Sequence, residues 1–553
     1  MPPRARHRQT IVPGSTLEGQ SSQDSKALIS FLEPSPLQNA GISLAAATFS
    51  RLVLMQMNRV DKVTVLGGGS AGFMAALALK IRIPEIGVRI IRSKEIGIIG
   101  VGEGSTVGLT DFLHRYLKLS PKKFHAEAQP TWKLGLKFLW GPRASFNYTF
   151  GPGLDARDPT LAKANGFYCE EDAACPDIFS ALMTHDRAFA QEKGRPVFHS
   201  NVAYHFENEK FVTFLEGWAE AIGVEICDDK VLDVQQSEAG VTGLVLASGA
   251  TEVADLYVDC SGFGSVLLGQ ALREPFVGFG TSLFCERAVV GGWDRTAPED
   301  EVIKPYTTCE TMEAGWAWQI EHENRINRGY VYSPAFISDE KAEMEFRAKN
   351  PKVGPTRLVS FVSGRYARHW VKNVVAIGNA GGFVEPLEAT ALGVIAQQSR
   401  TLADSLVLAD RQPRPSQKAA FNQFFERAWD DIRGFLALHY KYNTRLDTAF
   451  WHHCRQETDL AGVEPVIEYY EENGPDGYWG QTLLGNPDNQ FKIGGYFTLL
   501  AGMSVPYRKS FEFSSTDVSA RQRRCHAYEE NARRGLSVRQ TLATIRGPGW
   551  KWT

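Results

Sequence analysis

The first place in this chain where residue types and spacing point to chemistry is a run of glycines. Gly67-Gly68-Gly69-Ser70-Ala71-Gly72 follows the β-branched apolar run Val63-Thr64-Val65-Leu66 and precedes good helix formers from Phe73 to Lys80. In such a G-x-G-x-x-G, Gly67 permits the tight turn, Gly69 lets a pyrophosphate approach the backbone, and Gly72 lets helix and strand pack closely. Ser70 and Ala71 open the helix, whose free N–H groups suit the phosphates. A dinucleotide site is therefore expected. One part of the fingerprint is missing. The second strand, Val88-Arg89-Ile90-Ile91, ends on Arg92 where an acid for the ribose hydroxyls usually stands, and Glu95 is out of place. Weak ribose contacts and low nucleotide affinity are expected.

Trp132-Lys133-Leu134-Gly135-Leu136-Lys137-Phe138 alternates with period two, the mark of a strand with one buried face. From pattern alone both lysines read as solvated. Gly315-Trp316-Ala317-Trp318-Gln319-Ile320 puts two tryptophans on one strand face, where packed aromatics are the plain reading. Leu256-Tyr257-Val258-Asp259-Cys260-Ser261-Gly262 is a strand running into a glycine turn. Val374-Val375-Ala376-Ile377-Gly378-Asn379-Ala380 is another, entering Gly381-Gly382-Phe383. Together with the glycine fingerprint, these segments resemble in their order the FAD-dependent monooxygenases, in which a Gly-Asp pair often stands where Gly378-Asn379 is found.

Three motifs narrow the resemblance. The Trp316/Trp318 segment resembles the W-x-W-x-I-P signature of flavin-dependent halogenases. Gly100-Val101-Gly102-Glu103-Gly104-Ser105-Thr106 resembles their flavin-contacting strap. Phe383-Val384-Glu385-Pro386-Leu387-Glu388-Ala389-Thr390-Ala391-Leu392-Gly393 resembles the segment carrying their halide site and an active-site glutamate. From Met57 to the C-terminus, most strongly before about residue 440, the chain thus resembles the tryptophan halogenases.

The resemblance implies reduced FAD contacted by Gly67, Gly69, Ser70, Ala71, Gly72, Gly102, Glu103, Gly378 and Leu392. It implies halide held by the backbone N–H groups of Thr390 and Ala391, and it makes Lys133 and Glu388 catalytic while Lys137 stays structural. No metal is expected. Oxygen and halide would give hypohalous acid, passed through an internal tunnel. There an ammonium can orient the oxidant or trap it as a haloamine, a desolvated lysine suiting either role. A carboxylate at Glu388 can polarise the oxidant or take the proton the ring loses. Tyr148 and Phe150 fall where an aromatic pair flanks the indole. Two departures stand out: Glu321 replaces the signature's proline, and Ala391 replaces a glycine at the halide. The family's clamp for a free amino acid is not recognisable in Asn486 to Phe497. Free tryptophan is accordingly expected to be a poor substrate, with indoles or electron-rich phenols better. Only one good glycine fingerprint is present, so reduced FAD is expected from a separate NAD(P)H-dependent flavin reductase. Two alternatives stay open from the residues: an FAD-dependent aromatic hydroxylase, and a flavin-binding protein without turnover.

The elements that must position these residues follow. The reading is an α/β, FAD-binding Rossmann-like fold of the flavin monooxygenase/halogenase kind, with a β-rich insert and a helical C-terminal substrate domain. Residues 1–56 form a poorly ordered, dispensable extension, 57–400 the FAD-binding core, and 401–553 a mainly helical cap. Thr401 to Leu408 and Gln417 to Lys441 show helical spacing, with a break from Asp410 to Ser416 that contains two prolines. Residues from about 515 read as a solvated helix and a basic tail. At 43% hydrophobic and 22% charged, the 553-residue chain is ordinary for a globular protein, and its net charge of −3 offers no basic surplus for nucleic acid or an anionic membrane. No stretch reads as a membrane span. Eight cysteines without a C-x-x-C fit structural thiols in a reducing compartment, hence a cytoplasmic location. Self-association into a homodimer is compatible with the reading.

Overall fold

The computed structural model describes residues 59–95, 103–151, 177–297, 300–510 and 512–552. The N-terminal extension and Gly102 lie outside them.

Val63, Val65, Ile90, Val258 and Val375 are fully buried, as strands covered on both faces require. They belong to a six-stranded sheet ordered Glu225–Asp228, Gly87–Arg92, Lys62–Leu66, Leu256–Asp259, Val374–Ala376, Trp370–Val371. The first five strands are parallel and the last runs antiparallel. The helix Ser70–Arg82 joins the first two strands of the chain and buries a continuous apolar face from Phe73 to Leu79.

A second, seven-stranded sheet is ordered Arg357–Ser360, Arg287–Asp294, Arg325–Tyr332, Gly315–Glu321, Thr307–Met312, Gly135–Leu139, Phe146–Thr149. It is the β-rich part, and its core is shared with the C-terminal helices: Trp316, Trp318, Tyr330 and Tyr332 pack in one cluster with Phe435, Tyr440, Trp451 and Tyr496.

The stretch around Lys133 departs from the expectation of one strand. It breaks at Leu134 into Thr131–Lys133 and Gly135–Leu139, which belong to different sheets. The Leu134 N–H donates to the Pro305 carbonyl at 2.7 Å, and its own carbonyl accepts from Phe150 N at 2.9 Å. Gly135 follows because a Cβ there would lie 2.2 Å from the Tyr148 carbonyl oxygen. The break removes the solvent face that the alternation suggested.

After residue 390 the chain is helical. Ala391–Leu408 and Pro415–Lys441 are its first two helices. The second starts two residues earlier than the sequence suggests, because Pro415 occupies the first turn, where its missing N–H costs nothing. The C-terminal residues are more than a tail. A second helix, Val538–Arg546, follows Ser515–Arg534, and Trp552 then stacks on buried His125 at 5.4 Å.

Candidate active site

The nucleotide turn has the form the glycines require. Gly67 sits at φ 125°, and a Cβ there would come within 2.2 Å of the Cys260 carbonyl oxygen. A Cβ on Gly72 would meet the Gly67 carbonyl oxygen at 1.9 Å, so this glycine is needed for helix–strand packing. Gly69 differs: nothing lies within 4 Å of its absent Cβ. That open cradle, at the N-terminus of the helix begun by Ser70 and Ala71, fits a pyrophosphate. Gly378, at φ 68°, brings the late strand to the same place, its missing Cβ only 3.1 Å from the Ala71 methyl. Its N–H donates to Gln398 Oε1 at 2.9 Å.

The described end of the strap, Glu103–Gly104, pairs with Ala203–Phe206, which pairs on its other side with Thr131–Lys133. Burial pushes the Glu103 carboxyl up to about 7, against a hydrogen bond from Asn208. The strap also reaches the halide segment, since a Cβ on Gly393 would lie 2.7 Å from Thr106 Oγ1. Ala389 turns the chain at φ 54°, Thr390 is the N-cap, and Ala391 and the buried Leu392 form the first turn of an 18-residue helix. First-turn N–H groups have no intrahelical acceptor, so they can hold an anion.

Lys133 is fully buried, and its Nζ has no hydrogen-bond partner among the described residues. Burial lowers it to about 8, opposed by the charge of Glu388. A Cβ on Gly104 would lie 3.4 Å from this Nζ, and the Phe150 ring centre is 5.4 Å from it. Buried His205 stands beside it, bonded to Thr307 Oγ1 at 2.8 Å and held well below the usual histidine range by burial and by the Lys133 charge. Lys137 is only half-buried and packs on the Tyr306 ring at 4.8 Å.

Glu388 is buried and contacts His439 Nε2 at 2.9 Å, while His439 Nδ1 lies 3.1 Å from the Phe435 carbonyl oxygen. A carbonyl only accepts, so Nδ1 carries the hydrogen in its contact with Phe435. His439 was not legible as a site residue; it sits one residue before Tyr440 in a helix dense with aromatics.

Glu385 was also missed. It is fully buried, accepts from Trp316 Nε1 at 3.0 Å and from the Tyr440 hydroxyl, and burial pushes it up to about 7 against those two bonds. The first signature tryptophan is thereby tied to the loop that carries Glu388. Trp318 instead lies flat over Gly329, where a Cβ would meet its ring at 2.1 Å. Its indole nitrogen has no hydrogen-bond partner among the described residues.

Tyr148 belongs to the core of the seven-stranded sheet, 6.0 Å from the Phe435 ring, and Phe150 packs against that core and the core of the parallel sheet. Phe435 in turn stacks face to face on Phe491 at 3.7 Å and 10°. In the segment where a free amino acid would be clamped, Asn486 donates to Asp431 at 2.5 Å and Asn489 to the Tyr496 hydroxyl at 3.0 Å. Glu321, where a proline was expected, neither faces solvent nor stands alone: it is 1% exposed and paired with buried Arg295 and with Gln319.

The described residues thus include a turn open at Gly69, a helix starting at Ala391, and a buried Lys133 ammonium without a hydrogen-bond partner among the described residues, near Phe150 and in the field of Glu388, which contacts His439. A family profile described as tryptophan halogenase matches residues 62–516. The tryptophan 6-halogenase ThaL of Streptomyces albogriseolus is 30% identical over 81% of this chain and 90% of its own. The 7-chloro-L-tryptophan 6-halogenase KtzR of Kutzneria sp. (strain 744) is 30% identical over 87% and 97%. Among solved structures, MibH, a lanthipeptide tryptophan 5-halogenase, superposes with a TM-score of 0.81 at 35% identity, covering 88% of this chain and 93% of MibH. BrvH, a flavin-dependent halogenase from Brevundimonas sp. BAL3, gives 0.76 at 26% identity over 88% and 99%.

Proposed function

The chain belongs to the tryptophan halogenase family of flavin-dependent halogenases, and from that premise we propose that it halogenates an electron-rich aromatic carbon of the indole or phenol type. The observation that carries this reading is the Lys133 ammonium, fully buried without a hydrogen-bond partner among the described residues, beside Phe150 and within the field of Glu388.

Bound reduced FAD, with oxygen and halide, supplies hypohalous acid as the oxidant. Gly69 and the first turn at Ser70 would hold the pyrophosphate, and the N–H groups of Thr390 and Ala391 would hold the halide. Lys133 donates to the oxidant and orients it. Because water is excluded there, a single ammonium directs the oxidant more strongly than it would in bulk solvent. Glu388, with His439 behind it, takes the proton that the ring loses on rearomatising. Tyr148 and Phe150 supply flat apolar area for the ring. The reduced flavin comes from a separate NAD(P)H-dependent reductase.

The substrate is read as an indole or phenol without a free amino-acid moiety. Two observations support this. Asn486 and Asn489 are engaged with Asp431 and Tyr496 rather than free to clamp an ammonium and a carboxylate. MibH, described as a lanthipeptide tryptophan 5-halogenase, shares 35% identity with this chain.

The test is product mass after incubation with a flavin reductase, NADH, FAD and bromide, with free tryptophan, indole and an N-acetyl tryptophan amide in competition. A brominated indole or amide, lost in Lys133→Ala, is expected. Preference for free tryptophan would overturn the substrate reading alone. An oxygenated product formed without bromide would overturn halogenation.

A further inference from the structure

The glycine fingerprint lacks its ribose acid, and the structure contains a substitute. At the end of Gly87–Arg92, the Arg92 side chain lies across the nucleotide turn: a Cβ on Gly68 would be 2.6 Å from Arg92 Cβ and 2.7 Å from Cδ. Its guanidinium then makes a two-pronged ion pair with Glu216, Nη1 to Oε2 at 2.7 Å and Nη2 to Oε1 at 2.5 Å. Glu216 comes from a different element, the helix Asn208–Ala221. The two side chains are 18% and 23% exposed, so a ligand at the turn can reach them.

An arginine alone cannot replace an acid, because it accepts no hydrogen bond. A carboxylate with two oxygens has about four acceptor positions. Arg92 engages one on each oxygen, which leaves acceptors for sugar hydroxyls. We propose that the Arg92–Glu216 pair binds the adenosine ribose of FAD, with Glu216 accepting from the ribose hydroxyls in place of the acid missing from the second strand. The pair reaches the same point from a neighbouring helix, and its near-zero net charge spares the pyrophosphate the repulsion of a bare carboxylate.

This inference rests on FAD being the cofactor of the family and not on the aromatic substrate. It is tested by equilibrium binding of oxidised FAD and of FMN to the full chain, read by flavin fluorescence, alongside melting temperature. FMN lacks the adenosine. Glu216→Gln keeps the shape of the side chain, and Arg92→Met keeps most of the stem over Gly68. Each is expected to weaken FAD at least tenfold while leaving FMN affinity within twofold. The exchanged pair Arg92→Glu with Glu216→Arg, which puts an acid back at the strand end, should recover most of the FAD affinity. Unchanged FAD affinity in Glu216→Gln would overturn the proposal, as would a parallel loss of FAD and FMN, the result expected if the pair merely ties the helix to the sheet.

Discussion

Replacing Lys133 by methionine should remove activity and stabilise the fold. The side chain is fully buried, and burial takes its pKa from 10.5 to about 8 even though Glu388 opposes the change. In the unfolded chain the amine keeps its ordinary value. Between about 8 and 10.5 the unfolded state therefore holds a proton that the folded state has lost, and stability rises with pH across that window. Below about 8 the folded state carries the full penalty of a charged buried amine. At ~1.4 kcal/mol per tenfold, that penalty is about 3 kcal/mol at pH 7 and falls to about 2 kcal/mol at pH 9. Methionine has a similar reach, fills the space and has no charge to bury. Urea unfolding followed by tryptophan fluorescence should show Lys133→Met more stable than the parent at pH 7, with the gap narrowing by about 1 kcal/mol at pH 9. Brominated product should be absent. A variant no more stable than the parent at pH 7, or a gap that does not change with pH, would refute the argument that this amine is held against its solvation.

Four more outcomes are expected. Gly69→Ala should fold normally, since its Cβ meets nothing, yet lose FAD affinity measured by fluorescence quenching. Gly72→Ala, whose Cβ would sit 1.9 Å from a carbonyl oxygen, should instead lower the urea midpoint, overpacking of this kind costing about 1–3 kcal/mol. His439→Gln should cut kcat by about 100-fold, the usual scale for losing assisted proton transfer, with FAD affinity and melting temperature little changed; a kcat within threefold of the parent would remove His439 from the proton path. Glu321→Gln should destabilise by about 3 kcal/mol, because it strands the buried Arg295 guanidinium, and a urea titration showing less than 1 kcal/mol would mean that Glu301 and the surrounding carbonyls suffice.

What could be read from the chain was whatever lies in consecutive residues. The glycine turn, the late strand at Gly378 and the helix after Thr390 each carry their function in a local run, and each forms as the run suggests. The two helices on either side of the proline break were legible from spacing, but the first starts at Ala391, ten residues before Thr401, and the second two residues before Gln417, where Pro415 starts a helix instead of ending a break. Lys133 shows the limit. Its alternating neighbours describe a half-exposed strand, and only the pairing of Leu134 with Pro305 and Phe150, which are distant in sequence, makes it buried. His439 and Glu385 were invisible for the same reason. Each acts through a partner about fifty or more residues away, and nothing in the helix 415–441 distinguishes a histidine that faces Glu388 from one that fills space. Arg92 was noticed as an anomaly, but its meaning needed Glu216, which no spacing rule links to it.

The break at Leu134 also bears on how such an enzyme can change its diet. One residue separates Lys133, anchored in a small ladder with the strap, from Gly135–Leu139, the neighbour of the edge strand Phe146–Thr149. The proposed catalytic lysine and the proposed substrate wall are therefore adjacent along the chain but braced by separate hydrogen-bond networks. An edge strand can drift in sequence, as no strand among the described residues pairs on its outer side, while the lysine keeps its ladder. New aromatic guests can thus be selected by remodelling 146–150 and the helix facing it, leaving the dangerous chemistry where it was.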